Sequence, residues 1–482
     1  MTEGFLNARG QTQQTNTFSM RLKKMFSLCA LGAITFSIHA QTDPEITTWL
    51  LNTTGITGRH YVDGNSTPIT DTAQANVQRI RYSNDNVYIN SSGIPAYIIG
   101  PYPDGNPALA VNNNWLFQIP RDPQENTGTL TSTPLGAIGI FINGVPMYDY
   151  KDGASYSSST QQDDMQSGDG VWNRNAILAE NEGFDCAKGH PSPIMGGSPG
   201  GNVDGSYHHH QNPTAFNVDM IELSDICDMY LADGLYTLDS TAHSPLIGYA
   251  FDGYPVYGGY GYANTDGTGG IKRIESSYQK RNITARTHYA DGTNVTDGPA
   301  VSNDFPLGWY REDYEFISGS GDLDVHNGRF CVTPEYPNGT YAYFATVDEN
   351  WNSAYPYIIG PEYYGIVETS NFTAMGSTSV TIDETVTDYG GTTSVNELED
   401  EFDIAVYPNP ASDLVAIQAK GLLQQTLEVN LFDMKGSLVK TTQLNQGSTI
   451  WHLDTRLLYS GQYVIVITDG TNRYTEKLII QK

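Results

Sequence analysis

Two stretches of the chain share one pattern and decide the fold: IGIFINGVPMY (Ile138–Tyr148) and IGYAFDGYPVY (Ile247–Tyr257). In each, an Asn-Gly or Asp-Gly pair lies between two apolar runs. This arrangement is the strongest short-range signal for a β-hairpin, because both central residues of the turn can adopt positive φ. We therefore predict a duplicated hairpin with Asn143–Gly144 and Asp252–Gly253 at its tips.

The region from about residue 45 to residue 370 is predicted to be one large, mainly β domain. It shows no long helical periodicity, and the chain is rich in glycine (49), tyrosine (32) and proline (24). Such a composition is typical of extracellular proteins with many strands and turns. The best helical candidate is Asp219–Gly234, which carries apolar residues loosely on one face.

The N-terminal residues predict export. Residues 20–40 combine a basic start, an apolar run from Met25 to Ile38, and Ala40 before the expected cleavage point, as a secretory signal peptide does. The apolar run is shorter than the ~20 residues that span a bilayer, so we expect no stable transmembrane segment. Residues 1–19 are a polar upstream extension, and Met20 is an alternative start.

The mature chain is strongly acidic and holds an odd number of cysteines. Removal of residues 1–40 takes away four basic residues and one acidic residue, so the net charge changes from −29 to −32. Such a surface repels nucleic acid, which we exclude as a partner. Cys186, Cys227 and Cys331 remain, which indicates one disulfide and a leftover thiol, or a thiolate ligand.

The C-terminal residues 403–482 predict a small β-sandwich, because short alternating strands are separated by Gly, Asn and Asp turns. The motifs YPNPASD (Tyr407–Asp413), LFDMKGSLV (Leu431–Val439), SGQYVIVI (Ser460–Ile467) and the terminal KLIIQK resemble the type A C-terminal sorting domain of the type IX secretion system. That resemblance implies recognition by the secretion machinery of a Bacteroidetes-type bacterium. The protein would pass through the periplasm and outer membrane and be secreted or held at the cell surface.

Residues 371–402 are rich in Thr, Ser, Gly and acidic residues and poor in large apolar ones. This composition predicts a linker between the two domains.

The candidate functional site centres on GSYHHHQNP (residues 205–213). In an extended chain Tyr207 and His209 face one side, while His208 and His210 face the other, about 6.6 Å apart. Two imidazoles at that spacing can bind one transition metal, copper or zinc. The expected further ligands are His190, His243 and Cys186.

Other interpretations of the histidines stay open. They can be hydrogen-bonded loop residues, or a general base in a hydrolase that uses a neighbouring nucleophile. No recognised nucleophile motif such as GxSxG is present, and an enzymatic activity is left open. The acidic, glycine-rich stretch Ser318–Asp324 is a possible calcium site, although it lacks the EF-hand register.

The chain strongly resembles the YHYH-domain proteins over roughly residues 75–365. The shared segments are YHHHQNP, HSPLIGYAFDGYPVYGGYGY, KRIESSY, LDVHNGRFCVTPEYPNGTYAYF and YPYIIGP. The name-giving motif falls on Tyr207–His210, with His209 in place of the second tyrosine. The resemblance assigns no reaction, but it strengthens the case for a metal at His208 and His210. Further candidates in the shared segments are Tyr207, Asp252, His326 and Cys331.

A second hypothesis is a module that binds glycans or other extracellular polymers without a metal. Tyrosine rings offer flat stacking surfaces. The cluster to consider is Tyr254, Tyr257, Tyr260 and Tyr262, which would have to be exposed as one platform. The extracellular ligand itself is not specified by the sequence.

Overall fold

The computed structural model describes residues 43–102, 108–193, 203–214, 227, 230, 234–372, 378–389, 404–419, 426–433, 438–447, 449–468 and 473–482. The expected signal peptide and most of the expected helix at Asp219–Gly234 lie outside these residues. Within them the protein is mainly β, as predicted. None of the helices described has the length and apolar character that crossing a membrane requires.

Short strands alternate with turns along the whole main domain. The first are β1 (Thr57–Val62), β2 (Asn65–Gln74), β3 (Val77–Tyr82), β4 (Asn86–Ser91), β5 (Ile98–Ile99), β6 (Ala108–Ala110) and β7 (Trp115–Pro120). Next come β8 (Ala137–Phe141), β9 (Pro146–Tyr148), β10 (Lys151–Ser157), β11 (Gln162–Asp164), β12 (Asn173–Asn175), β13 (His190–Pro193) and β14 (Val203–His208). The domain continues with β15 (Leu246–Ala250), β16 (Pro255–Tyr257), β17 (Tyr260–Tyr262), β18 (Ile271–Arg273), β19 (Tyr278–Lys280), β20 (Tyr314–Phe316), β21 (Gly328–Cys331), β22 (Thr340–Phe344) and β23 (Thr387–Tyr389).

Within the described part of the chain, helical structure is limited to single turns. The α-helices are α1 (Pro44–Thr47) and α2 (Ala176–Ala179), and 3-10 turns lie at Asn181–Gly183, Arg311–Asp313 and Thr369–Asn371.

The duplicated hairpins form four adjacent strands of a six-stranded sheet with the order β21-β22-β16-β15-β8-β9, in which β9 lies at one edge. The first strands of the two hairpins are antiparallel neighbours, with Ile140 opposite Tyr249. The prediction of a duplicated hairpin is therefore confirmed. The pairing buries β8, β15 and β16 completely, and their side chains lie in the main hydrophobic core.

The predicted conformation of the two turns is wrong in one respect. Positive φ is confined to the glycines, at 79° for Gly144 and 89° for Gly253, and is not adopted by Asn143 or Asp252. Each glycine amide donates back three residues, to Phe141 O in one hairpin and Ala250 O in the other. This is a tight turn closed by a left-handed glycine, which leaves the preceding polar side chain free to accept a backbone hydrogen bond.

The predicted linker is wrong for part of its length, because residues 378–389 pack on the main domain. β23 extends the sheet β23-β3-β4-β7, with Asp388 opposite Arg81. Arg79 donates two hydrogen bonds to Asp388, and Tyr88 donates one to Glu384. A strand at the edge of a sheet can be polar on its exposed face, so composition alone does not distinguish it from a linker.

The C-terminal residues form the predicted β-sandwich. Its strands are β24 (Ile404–Tyr407), β25 (Leu414–Ala419), β26 (Leu427–Asp433), β27 (Leu438–Leu444), β28 (Ile450–Asp454), β29 (Gly461–Thr468) and β30 (Arg473–Ile480). They make two sheets, β24-β25-β28 and β27-β26-β29-β30. Alternating apolar residues from both sheets share one hydrophobic core, which is distinct from that of the main domain.

Candidate metal centre

A strand pair brings the histidines of the candidate centre together. β13 runs antiparallel to β14, and His190 lies directly opposite His208. Beyond the end of β14 the chain stays extended, and His209 pairs with Met147 of β9. Because side chains alternate along an extended chain, His210 returns to the face of His208. The predicted H-x-H geometry is thus present, with His190 as the third member.

The three imidazoles converge closely and are buried. Their ligand atoms all lie within 4.8 Å of one another. The Nε2 atoms of His208 and His210 are 3.0 Å apart. No more than 6% of any of the three residues is exposed. Among the residues that the structure describes, this is the group of His, Cys, Asp or Glu side chains identified as able to hold a metal ion.

Backbone carbonyls fix which nitrogen of each ring faces the centre. His208 Nδ1 lies 2.9 Å from Ser206 O, and His210 Nδ1 lies 2.5 Å from Asp149 O. A carbonyl oxygen only accepts, so each Nδ1 must carry a proton and each Nε2 faces inward. Metal-binding histidines are oriented in this way by partners of the second ring nitrogen.

A carboxylate that the sequence did not indicate completes the cluster. Glu180 Oε2 lies 3.1 Å from His190 Nε2 and 3.2 Å from His210 Nε2. Glu180 is the C-cap of the single-turn helix α2, whose N-cap Asn175 accepts a hydrogen bond from the Ile177 amide. A lone glutamate in a short polar stretch has no spacing signal, so only the three-dimensional structure reveals it.

The charges within the cluster are strongly coupled. Burial and the neighbouring His190 and His210 hold the pKa of His208 well below its ordinary value. Although burial opposes both effects, Glu180 raises the pKa of His210, and His210 with His190 keeps the pKa of Glu180 low. Two Nε2 lone pairs would repel at 3.0 Å, so a proton must lie between the Nε2 atoms of His208 and His210. We assign this proton to His210, whose pKa is raised.

Three contacts within the cluster are close to the spacing of donor atoms around a metal. Zinc bound to imidazole at roughly 2.0–2.1 Å holds neighbouring donor atoms about 3.3 Å apart. The His208–His210, His190–Glu180 and His210–Glu180 contacts are 3.0, 3.1 and 3.2 Å long. About a quarter of the Glu180 side chain is exposed, whereas the histidines are enclosed. The residues present therefore fit a metal ion approached from the side of Glu180.

Aromatic rings close the other sides of the cluster. Tyr148, the last residue of the first hairpin pattern, stacks on His208 with ring centroids 3.8 Å apart, and its edge meets His210. Phe184 contacts His190 at 4.8 Å. This apolar enclosure lowers the local dielectric and limits access by water.

The opposite face of the histidine strand is purely structural. Tyr207 donates a hydrogen bond to Asp185, which also accepts from the amides of Gly100, Ala187 and Gly189. His209 uses Nδ1 to donate to Lys188 O and Nε2 to accept from Tyr97. Burial lowers the pKa of His209 to about 3, so this ring is neutral. Neither Tyr207 nor His209 is available to a metal.

Cys186 does not serve as the predicted ligand. It forms a disulfide with Cys227, and of the cysteines that the structure describes Cys331 is the free one, buried in β21. Burial raises the pKa of the Cys331 thiol, which opposes a thiolate role. The spacing of three cysteines along the chain does not reveal which two are close in space, and here the pair that meets is the one nearest in sequence, 41 residues apart.

His243, a predicted ligand, lies apart from the cluster. It stands against the ring edge of Tyr257 and contacts Tyr262, and its Nδ1 is 2.7 Å from Ser244 O. The candidate His326 is also elsewhere, with its Nδ1 2.9 Å from Glu362 O. Both histidines have local carbonyl partners of their own.

Asp252 is a turn residue rather than a site residue. It is fully buried and accepts hydrogen bonds from Tyr343, from the Gly365 amide and, at 3.3 Å, from the Tyr254 amide. Burial raises its pKa to about 6 although these bonds oppose the shift. Its partners anchor the second hairpin to residues 343–365.

The tyrosine platform of the second hypothesis is absent. Tyr254, Tyr257 and Tyr260 are at most 8% exposed and pack inside the domain. In the acidic stretch considered for calcium, Asp322 pairs with Lys272 and Asp324 accepts a hydrogen bond from Tyr341. These two carboxylates already have protein partners, and calcium there stays an untested prediction.

The fold and site define an exported class of protein. A disulfide within a β-rich domain is typical of an oxidising compartment outside the cytosol, and the domain encloses a buried three-histidine centre.

Comparison with known proteins identifies the family. Residues 116–355 match the YHYH protein family, and residues 405–481 match the secretion system C-terminal sorting domain. The chain therefore belongs to the YHYH-domain proteins and ends in a sorting domain. That domain marks it for the type IX secretion system, and hence for secretion or attachment at the cell surface.

Two further likenesses are limited in extent. An endo-acting ulvan lyase from Formosa agariphila is 36% identical over 80 residues, which is 16% of this chain and 15% of that protein. A solved duf3244 family protein from Bacteroides vulgatus, with an immunoglobulin-like β-sandwich fold, aligns over 16% of this chain and 84% of its own. Its sequence identity is 15% and the TM-score is 0.15. Neither likeness supports an activity for the main domain.

Proposed function

We propose that this secreted YHYH-domain protein binds one transition metal through His190, His208 and His210, with Glu180 as the fourth ligand. The observation that carries the proposal is the inward orientation of the Nε2 atoms of His208 and His210, set by the carbonyls of Ser206 and Asp149. Imidazole suits both zinc and copper. Contact distances close to the donor spacing of zinc, and the lack of a thiolate in the cluster, favour zinc over copper(I).

Glu180 adds to the centre a group that can take part in a reaction. Three histidine ligands with a solvent-side position are the pattern of catalytic zinc, which activates a bound water. A carboxylate beside that position can bind the metal or take a proton from the water. Among the described residues no serine or cysteine side chain is hydrogen-bonded to His208 or His210, so a hydrolase at this site would use water as its nucleophile.

Metal analysis of matched variants tests the proposal. We expect about one equivalent of zinc in the purified wild type after zinc loading and desalting, and a large loss in His208→Gln and His210→Gln. The control is His209→Gln, which changes the residue between them but on the other face. It should lower stability, because two buried hydrogen bonds are altered, and keep the metal. Equal metal in all four proteins would refute the proposal.

Glu180→Gln separates the carboxylate from the histidines. The amide keeps the shape of the side chain but removes its negative charge, so we expect zinc affinity to fall by at least the roughly 10–100-fold that follows loss of an outer-shell partner of a ligand. Competition with a chromophoric chelator gives the affinity. An unchanged affinity would remove Glu180 from the ligand set and leave the three histidines.

A further inference from the structure

A polar cavity of about 360 Å³ lies beside the metal centre. It shares two chain segments with the centre. Helix α2 contributes Ile177 and Leu178 to the cavity wall and Glu180 to the centre, while Gln211 lines the cavity immediately after His210. The volume is at the lower end of the roughly 300–1,000 Å³ found for small-molecule sites. The cavity therefore suits one small ligand or the end of a longer one.

The amide of Gln211 is a donor without an acceptor. Only 3% of Gln211 is exposed. Ser353 Oγ donates to Gln211 Oε1 at 2.6 Å, which fixes the orientation of the amide. Among the described residues its Nε2 has no hydrogen-bond partner. A buried polar group without a partner costs about 1–3 kcal/mol, and such groups are rare, so this amide indicates a missing acceptor.

The side-chain oxygen of Asn352 complements the Gln211 amide. Asn352, which precedes Ser353 in the chain, also lines the cavity. Its Nδ2 points to Asp348 Oδ2 at 3.4 Å, and its buried Oδ1 finds no donor within the part of the chain that the structure describes. Two residues of the cavity wall thus each hold a buried polar atom without a partner in the described structure, a donor on Gln211 and an acceptor on Asn352.

The remaining wall is aromatic and the charge is balanced. Tyr314 and Tyr355 stack with ring centroids 4.1 Å apart, and Tyr278 meets Tyr355 edge to face. Tyr357 also lines the cavity and has a φ of 75°, which is rare for a residue other than glycine. Its hydroxyl accepts a hydrogen bond from Asn175, the N-cap of α2. One lysine and one aspartate, Lys280 and Asp348, are the charged lining residues.

From these features we infer that the cavity binds a neutral sugar residue, beside the metal centre and independently of the metal. Adjacent hydroxyls of a pyranose both accept and donate, which satisfies the Gln211 amide and the Asn352 carbonyl together. The C–H face of the ring packs on tyrosine. A peptide group could also pair with two amides, but it lacks the broad apolar face that the tyrosines require.

Ligand-observed NMR on the mature protein tests this inference. The probes are cellobiose, xylobiose and galactose, with glucuronic acid, glucosamine and triglycine as alternatives. We expect saturation transfer to at least one neutral sugar. Gln211→Leu should weaken that binding roughly tenfold through loss of the amide donor. Gln124→Leu, the same change at an exposed position, should leave it unchanged.

Three results would overturn the inference. They are no transfer to any neutral sugar, preference for triglycine or a charged sugar, and undiminished binding in a folded Gln211→Leu variant. His208→Gln keeps this test separate from the metal proposal, because His208 does not line the cavity. Sugar binding should persist in that variant, and metal binding should persist in Gln211→Leu.

Discussion

Replacing Asp252 by asparagine should remove a defined part of the dependence of stability on pH. Asp252 is fully buried at the tip of the second hairpin, and burial raises its pKa to about 6 from an ordinary value of 3.8. That difference corresponds to roughly 3 kcal/mol. The folded state binds the proton more tightly than the unfolded state, so the contribution is fully present below the unfolded pKa. It is lost as the pH rises through 6.

The two hairpins supply their own control. Asn143 occupies in the first hairpin the place of Asp252 in the second, is also buried, and accepts a hydrogen bond from the Val145 amide as Asp252 does from Tyr254. Asn143→Asp should therefore introduce the pH dependence that Asp252→Asn removes. In Asp252→Asn the amide oxygen can face Tyr343, so only the 3.3 Å hydrogen bond from the Tyr254 amide is lost. That loss lowers the free energy of unfolding by about 1 kcal/mol and does not vary with pH.

Urea unfolding with a chelator present, at several values between about pH 4 and pH 8, measures the effect. The free energy of unfolding of the wild type minus that of Asp252→Asn should fall by about 2–3 kcal/mol over this range. Taking differences cancels the other titrating groups. Parallel curves for the two proteins, or a difference that grows with pH, would refute the assignment of Asp252 as a buried carboxyl held by the turn.

Two further predictions concern stability away from the centre. The Cys186–Cys227 disulfide spans 41 residues, so Cys186→Ser/Cys227→Ser should lose about 4 kcal/mol in urea unfolding under oxidising conditions. Cys331→Ser keeps the disulfide and should not show this loss of unfolding free energy. Equal losses in the double variant and in Cys331→Ser would argue against the Cys186–Cys227 pair. Arg286 and Asp313 are fully buried and joined by two hydrogen bonds of 2.7 Å. Arg286→Lys, which cannot form both, should cost about 3 kcal/mol and lower Tm, whereas an unchanged Tm would contradict this role.

Local patterns in the sequence predict the parts of the fold that depend on neighbouring residues. The Asn-Gly and Asp-Gly pairs identify both hairpins, and the two-residue period of an extended chain assigns His208 and His210 to one face. What these patterns leave open is how the elements pack. Residues 387–389 have a polar composition typical of a linker, yet they form an edge strand because Arg79 and Tyr88 supply partners from β3 and β4.

The histidine cluster shows where prediction from sequence ends. His190 lies beside His208 because its strand pairs with the histidine strand, and its role as a ligand stays a prediction. Cys186 lies only four residues before His190, but its sulfur is bonded to Cys227 in a disulfide. Glu180 enters through the end of helix α2, a position that no periodicity in the sequence marks.

The hairpin repeat accounts for only part of the difference between His208 and His243. Each hairpin pattern ends in a tyrosine that contacts a histidine: Tyr148 stacks on His208, and Tyr257 meets His243. Only beside the first hairpin do β13 and α2 add further donors, His190 and Glu180. At the second, the described contacts of His243 are a carbonyl and aromatic rings. The repeated unit therefore supplies only the tyrosine. The side chains of the cluster, which are Glu180, His190, His208 and His210, all come from the segment between the two hairpins.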